Sequence, residues 1–130
     1  MTRLTIAAFC VVLSTAVAGC GSDGGPRVEM GGGQRFEPQE LVVAAGDEIV
    51  FTNTSGEGHS VTAYSDGLPE GADYFSSGGF DSEAAARADL AGALIGQGET
   101  FSVTLTEPGT YRYFCIPHED AGMTGRIVVE

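Results

Sequence analysis

Lysine is missing from this 130-residue chain, and histidine (two), methionine (three) and cysteine (three) are scarce. Each shortage excludes something. Six arginines against 18 acidic residues leave a net charge of −12. Such a surface suits neither nucleic acid nor an anionic bilayer, since both are bound through cationic faces. The apolar run from Leu4 to about Val17 is shorter than the ~20 residues a membrane span needs. No Ser-His-Asp or paired-carboxylate arrangement can be argued from the spacing. Internal repeats are absent. The 42% of apolar residues suffices for the core of one small domain.

The N-terminus indicates where the chain works. "MTRLTIAAFCVVLSTAVAGC" opens on Arg3, continues with a short apolar stretch and ends in Ala18 and Gly19 before Cys20. A cationic start, an apolar stretch and small residues at a cut site make an export signal. The ending "VAGC" resembles the lipobox of prokaryotic lipoproteins, which implies cleavage before Cys20 and a lipid on its thiol. The alternative is an ordinary signal peptide in which the cysteine is incidental. "GSDGGP" then reads as a loose tether, as Gly/Ser-rich stretches do. The organisation expected is a leader over 1–19, a tether over 20–26 and one domain over 27–130, lipid-anchored on the extracytoplasmic face of the cell membrane. A strongly acidic, lysine-free surface also fits solution in concentrated salt, where screening shortens the repulsion between like charges. An acidic exported protein from an ordinary habitat would look similar.

The body of the chain has the period of strands. Leu41–Val43 and Ile49–Phe51 flank a turn at Gly46-Asp47, and "HSVTAY" makes a further short run. Phe101, Val103 and Leu105 fall on one face of a strand, and Tyr111, Tyr113 and Cys115 on one face of the next, because side chains alternate across a strand. Pro108-Gly109 turns between the two, and "GRIVVE" closes the chain. Short strands divided by turns predict an all-β sandwich or barrel. One Ala-rich segment breaks the pattern. Asp81 and Ser82 are N-cap types with Glu83 beside them, predicting a short helix over about 82–90. The segment around it, 66–98, carries no evident chemistry and reads as surface decoration.

The chemistry gathers in "YFCIPHEDAGM", residues 113–123. Removing Cys10 with the leader and acylating Cys20 leaves Cys115 as the sole thiol of the domain. Exported cysteines are normally paired, and a lone exposed thiolate outside the cell oxidises, so a metal at Cys115 would explain its survival. His118 follows at three residues and Met123 at eight. The second histidine, His59, lies where a Gly-rich loop meets a strand, and loops before and after strands meet at the ends of a sandwich. Two imidazoles, a thiolate and a weak axial thioether describe a type 1, blue-copper centre that holds Cu(I) and Cu(II). Zinc also accepts two histidines and a cysteine, though it favours a harder fourth ligand. A storage or delivery protein for copper or zinc is therefore the alternative to an electron carrier. Two histidines cannot ligate two copper sites, which argues against multicopper catalysis; the chain is read as no enzyme.

"CIPHEDAGM" is similar to the Cys-x2-His-x4-Met loop of plastocyanin-like cupredoxins, and with the upstream Gly58-His59-Ser60 the pattern looks like that of halocyanins, over about residues 27–130. The resemblance implies a Greek-key β-sandwich holding one copper ion. It implies His59, Cys115 and His118 as strong ligands and Met123 as the distant axial one. It further implies a monomeric carrier exchanging electrons with redox proteins at the membrane. The family's electron port is an apolar rim around the C-terminal histidine, here Ile116, Pro117, Ala121 and Gly122 about His118. Many members carry Asn after the first histidine, tying the two ligand loops together; Ser60 stands there in this chain, so the tie must be shorter or made differently. Pro117 fixes a φ inside the loop and removes a donor, which helps hold His118 still. Glu119 and Asp120 bring two negative charges to the port, where they either select a basic partner or are merely solvated.

Overall fold

A computed structural model describes residues 24–130; the expected leader, Cys20 and the start of the expected tether lie outside the described residues. Eight strands form two four-stranded sheets. They are β1 (Arg27–Gly31), β2 (Arg35–Glu37), β3 (Glu40–Val43), β4 (Glu48–Asn53), β5 (Thr62–Ala63), β6 (Thr100–Thr104), β7 (Gly109–Phe114) and β8 (Thr124–Val129). One sheet has the order β2-β1-β4-β6 and the other β3-β8-β7-β5. Two separate sheets decide for the sandwich over the barrel. Each sheet mixes directions: β1 runs parallel to β4 and β3 parallel to β8, while the remaining pairs are antiparallel.

The alternation expected in the sequence is what packs the two sheets together. Val28 and Met30 from β1, Ile49 and Phe51 from β4, and Tyr111 and Tyr113 from β7 point inward and are at most 1% exposed. Burying a side chain the size of Phe51 contributes about 1.5–3 kcal/mol over leaving it in water. The ring of Tyr113 meets Phe36 and Phe51 edge-on, with centroids 4.7 and 5.4 Å away. It also lies across Gly125, its partner on β8. A Cβ there would run into the phenol ring, so only glycine fits beneath it.

Strands β1 and β2 have no clear signature in the sequence. Their inward residues number only three, Val28, Met30 and Phe36, and Gly31, Gly32 and Gly33 interrupt the pattern between them. The helix expected over about 82–90 is two pieces, α1 (Glu83–Ala88) and α2 (Leu90–Ala93). Ser82 caps the first, accepting from the Ala85 N–H at 3.1 Å. Asp89 ends it by leaving helical φ/ψ (−128°, 72°), and its carboxylate then caps the second from the Gly92 N–H at 3.0 Å. An aspartate placed to cap competes with continuing the helix.

β7 and β8 are neighbours in both sequence and sheet, and their register closes at Phe114 opposite Thr124. Residues 115–123 are therefore the loop of a hairpin. Its middle is a 3-10 helix, Ile116–Ala121, with Pro117 near its start. Gly122 stops it in the left-handed region (φ 86°), donating to the Glu119 carbonyl at 2.9 Å. The loop after β4, residues 54–61, reaches the same end of the sandwich.

Candidate metal centre

Three ligating atoms converge there: one each from His59, Cys115 and His118, all within 4.8 Å of one another. The two Nδ1 atoms are 3.2 Å apart. Cys115 Sγ lies 3.8 Å from Nδ1 of His59 and 3.4 Å from Nδ1 of His118. Bonds of about 2.0–2.3 Å from nitrogen and sulfur to a single ion would subtend about 100–120° across separations of this size. One ion thus fits all three atoms with a fourth direction open. His59 and Cys115 are fully buried, and His118 is half-buried.

Met123 is fully buried beside this group and is tied to two of its members through the backbone. Its carbonyl accepts from the Cys115 N–H at 3.0 Å, and its N–H donates to the His118 carbonyl at 3.1 Å. A third bond, from the His118 N–H to the Cys115 carbonyl at 3.3 Å, closes the loop on itself. Sequence spacing of three and eight becomes spatial proximity because the 3-10 turn folds the chain back upon its own start.

The departure at Ser60 is resolved by a shorter tie. Its hydroxyl accepts from the Ile116 N–H at 2.8 Å, and its own N–H points at Cys115 Sγ at 3.4 Å. A single residue thereby joins the His59 loop to the Cys115 loop and supplies a donor to the sulfur.

Residues that the sequence did not single out hold His59. Its Nε2 lies 2.8 Å from Ser55 Oγ. With Nδ1 facing the metal position, Nε2 carries the proton and donates to Ser55. The Ser55 hydroxyl passes its own hydrogen to Asn53 Oδ1 at 3.0 Å. Asn53 is fully buried, and its amide donates to the carbonyls of Glu57 at 2.7 Å and Ile95 at 2.8 Å. Such outer partners fix the tautomer and ring direction of a metal-binding histidine. Ser55→Ala is expected to weaken copper binding by about tenfold or more while leaving the sandwich folded. Competition with a chelator of known affinity measures it, and unchanged affinity would remove Ser55 from the site's support. The local signal was "TNTS" four residues before His59, readable only once the turn at Gly56 to Gly58 is known to fold it back.

The 66–98 segment is not decoration. Ile95 pairs with His59 through both backbone bonds, at 2.7 and 3.3 Å. Ser77 is buried, accepts from the Val61 N–H at 3.0 Å and donates to the Ala93 carbonyl at 2.6 Å. The segment therefore walls one side of the His59 loop. It also engages Glu119, whose carboxylate is bound by Arg87 of α1 at 2.9 Å. Of the two acidic residues beside His118, Asp120 is exposed and Glu119 only partly so.

Burial pushes the Cys115 thiol up, against the N–H groups of Ser60 and His118, which favour the thiolate. Burial also pushes His59 down, His118 adds to that, and Glu57 opposes it. Without metal the sulfur keeps its proton and His59 stays neutral. Loading must expel the thiol proton, so a metal competes better as pH rises toward the thiol's pKa.

Comparison with known proteins agrees with this geometry. The family described as copper-binding proteins of the plastocyanin/azurin type matches residues 27–130. The major plastocyanin isoform of Arabidopsis thaliana is 38% identical over 127 residues, covering 95% of this chain and 70% of that protein. Lettuce (Lactuca sativa) plastocyanin is 42% identical over 98 residues, covering 75% of this chain and 90% of that protein. The oxidised plastocyanin of the fern Dryopteris crassirhizoma superposes with a TM-score of 0.58 at 27% identity, covering 80% of this chain and 99% of that one. The chain belongs to the plastocyanin/azurin family of copper-binding proteins.

Proposed function

We propose that this protein is a one-electron carrier whose single copper is held by His59, Cys115, His118 and Met123, and that Cys20 anchors it to the outer face of the cell membrane. The observation that carries the copper reading is the convergence of two Nδ1 atoms and one thiol, with His59 and Cys115 fully buried and His118 half-buried. Copper supplies a centre that gains and loses one electron at a soft-sulfur and imidazole donor set. The chain's own residues do the rest. Asn53 and Ser55 hold the ring of His59, Ser60 fixes the Cys115 loop, and the packed core around Met123 keeps water away. A donor set held this firmly moves little between oxidation states.

Electrons enter and leave, in this reading, at the half-buried edge of His118, flanked by Ile116, Pro117, Ala121 and Gly122. Partners are redox proteins that present a complementary apolar face at the membrane. Two histidines provide for one such centre, which supports a carrier rather than an enzyme. The lysine-free acidic surface supports a high-salt habitat. Adding Cu(II) to the metal-free protein tests the centre. An intense visible band with a narrow copper hyperfine splitting in paramagnetic resonance is expected. A colourless complex of equal affinity for zinc would instead indicate storage or delivery.

The anchor has its own test. Cys20→Ala should leave the membrane fraction, exported free or retained as uncleaved precursor, with its copper site intact. A single acyl chain binds only marginally, so stable attachment through Cys20 implies two chains on that residue. Mature Cys20→Ala protein still sedimenting with membranes after a salt wash would place the anchor elsewhere.

A further inference from the structure

α1 lies beside the ligand loop, and Arg87 connects the two. Its Nε binds Glu83 one turn back on the same helix at 2.8 Å, and its other arm, Nη2, binds Glu119 at 2.9 Å. Glu119 directly follows His118. The guanidinium also sits over the ring of Phe114, 4.2 Å from its centroid, and Phe114 directly precedes Cys115. Phe114 stacks in turn on Tyr64 at 4.3 Å. Glu83 is itself held, its second oxygen accepting from the Ser65 N–H at 2.8 Å. Burial would raise the Glu83 carboxyl, but the Ser65 N–H and Arg87 override it and hold it below its usual range. The side chains of Glu83, Arg87 and Glu119 are only 21%, 37% and 30% exposed.

We infer that Arg87 is a positioning residue, a clamp by which the inserted helix grips both ends of the Cys115–His118 segment, through Phe114 on one side and Glu119 on the other. An isolated exposed ion pair contributes little. Three features lift this one above that class. The arginine bridges two carboxylates at once, its flat face covers an aromatic ring, and one anchor point is pinned from a separate loop at Ser65. The consequence is mechanical. His118 stands on a six-residue 3-10 helix, and short 3-10 segments, with their poorer hydrogen-bond geometry, open readily unless something outside them holds them. Glu119 thereby changes its meaning: its charge is engaged sideways with α1, and the free charge at the rim is that of Asp120.

The clamp rests on His118 as a copper ligand for its functional consequence but not for its mechanics, so the test has two arms. Arg87→Gln and Glu119→Gln change the net charge in opposite directions yet break the same bridge. Asp120→Asn, the adjacent exposed carboxylate, is the control. In the metal-free full-length chain, hydrogen exchange of the Gly122 and Met123 amides reads opening of the turn directly. Both bridge variants should speed that exchange about fivefold, Arg87→Gln at least as much as Glu119→Gln because it also uncovers Phe114, the double variant no more than Arg87→Gln alone, and the control not at all. In the copper-loaded protein at 1 M salt, where the Debye length is ~3 Å and net-charge repulsion is screened, both should slow electron self-exchange several-fold in the same direction. Amide exchange that is unchanged, additive in the double variant, or moved in opposite directions by the two singles overturns the clamp. A wild-type protein without the visible band overturns the copper reading instead, and the amide arm still decides the clamp.

Discussion

Cys115→Ser is expected to abolish the intense visible band entirely and to leave a folded sandwich. The sulfur lies 3.4 and 3.8 Å from the two imidazole Nδ1 atoms and accepts the Ser60 N–H. No other cysteine is present among the described residues, so nothing can substitute as thiolate. A serine hydroxyl does not ionise near neutral pH and is a harder donor, so a soft, charge-transferring bond to copper cannot form. The fold depends on other contacts. Tyr111, Tyr113, Phe51 and Ile127 pack whether or not a metal is present. Serine at this buried position loses some apolar contact, yet its hydroxyl keeps the Ser60 N–H as a partner, so the cost in stability is about 1–2 kcal/mol. Visible and far-ultraviolet spectra of both proteins, with a thermal melt, measure the two effects separately. A variant that kept the band would refute Cys115 as the sulfur ligand. Loss of the fold would show that metal or sulfur is needed for folding, contrary to the packing argument.

What could be read from the sequence follows the range of the interactions involved. The face shared by Tyr111, Tyr113 and Cys115 was legible because strand side chains alternate with a fixed period of two, and burial of all three agrees. The proximity of Cys115, His118 and Met123 was legible because one short loop carries them. That His59 joins them required only that two loops meet at one end of a sandwich. Everything that supports the site from a distance was hidden. Ile95 reaches His59, and Ser77 reaches Val61, through backbone groups that carry no residue signature. Arg87 meets Glu119 across 32 positions of sequence because the insertion folds back over the ligand loop, a path that composition does not reveal. Phe114 belongs to the outward face of β7 by its period, yet it is fully buried, because Arg87 and Tyr64 cover it. The ligand set was readable from residue types and spacing, with the family resemblance pointing the same way, but the insertion that walls the site read as ornament because its polar and small residues act through hydrogen bonds and caps.

Met123→Leu is expected to keep copper and colour while raising the reduction potential by several tens of millivolts, where each 59 mV is a tenfold change in the one-electron equilibrium. The argument starts from packing. Met123 is fully buried among the core residues that include Cys115. Leucine matches methionine closely in volume, and swaps of this kind usually cost less than about 1.5 kcal/mol. The backbone bonds from Met123 to Cys115 and His118 do not involve its side chain, so the loop keeps its shape. His59, Cys115 and His118 still present two nitrogens and one sulfur, enough for a thiolate-to-copper band. In the proposed centre, what disappears is the weak thioether donor assigned to the fourth direction. Losing it withdraws electron density from the metal, and the more highly charged Cu(II) state suffers more than Cu(I), which moves the potential upward. A second consequence follows from the same removal: an apolar side chain at this position keeps water out of the open direction, so the gain is not offset by a new oxygen ligand. Voltammetry of both proteins at one pH and salt concentration, with the visible spectrum recorded alongside, measures the shift. An unchanged or lowered potential with the colour intact would exclude Met123 as the axial donor and leave it as a packing residue alone.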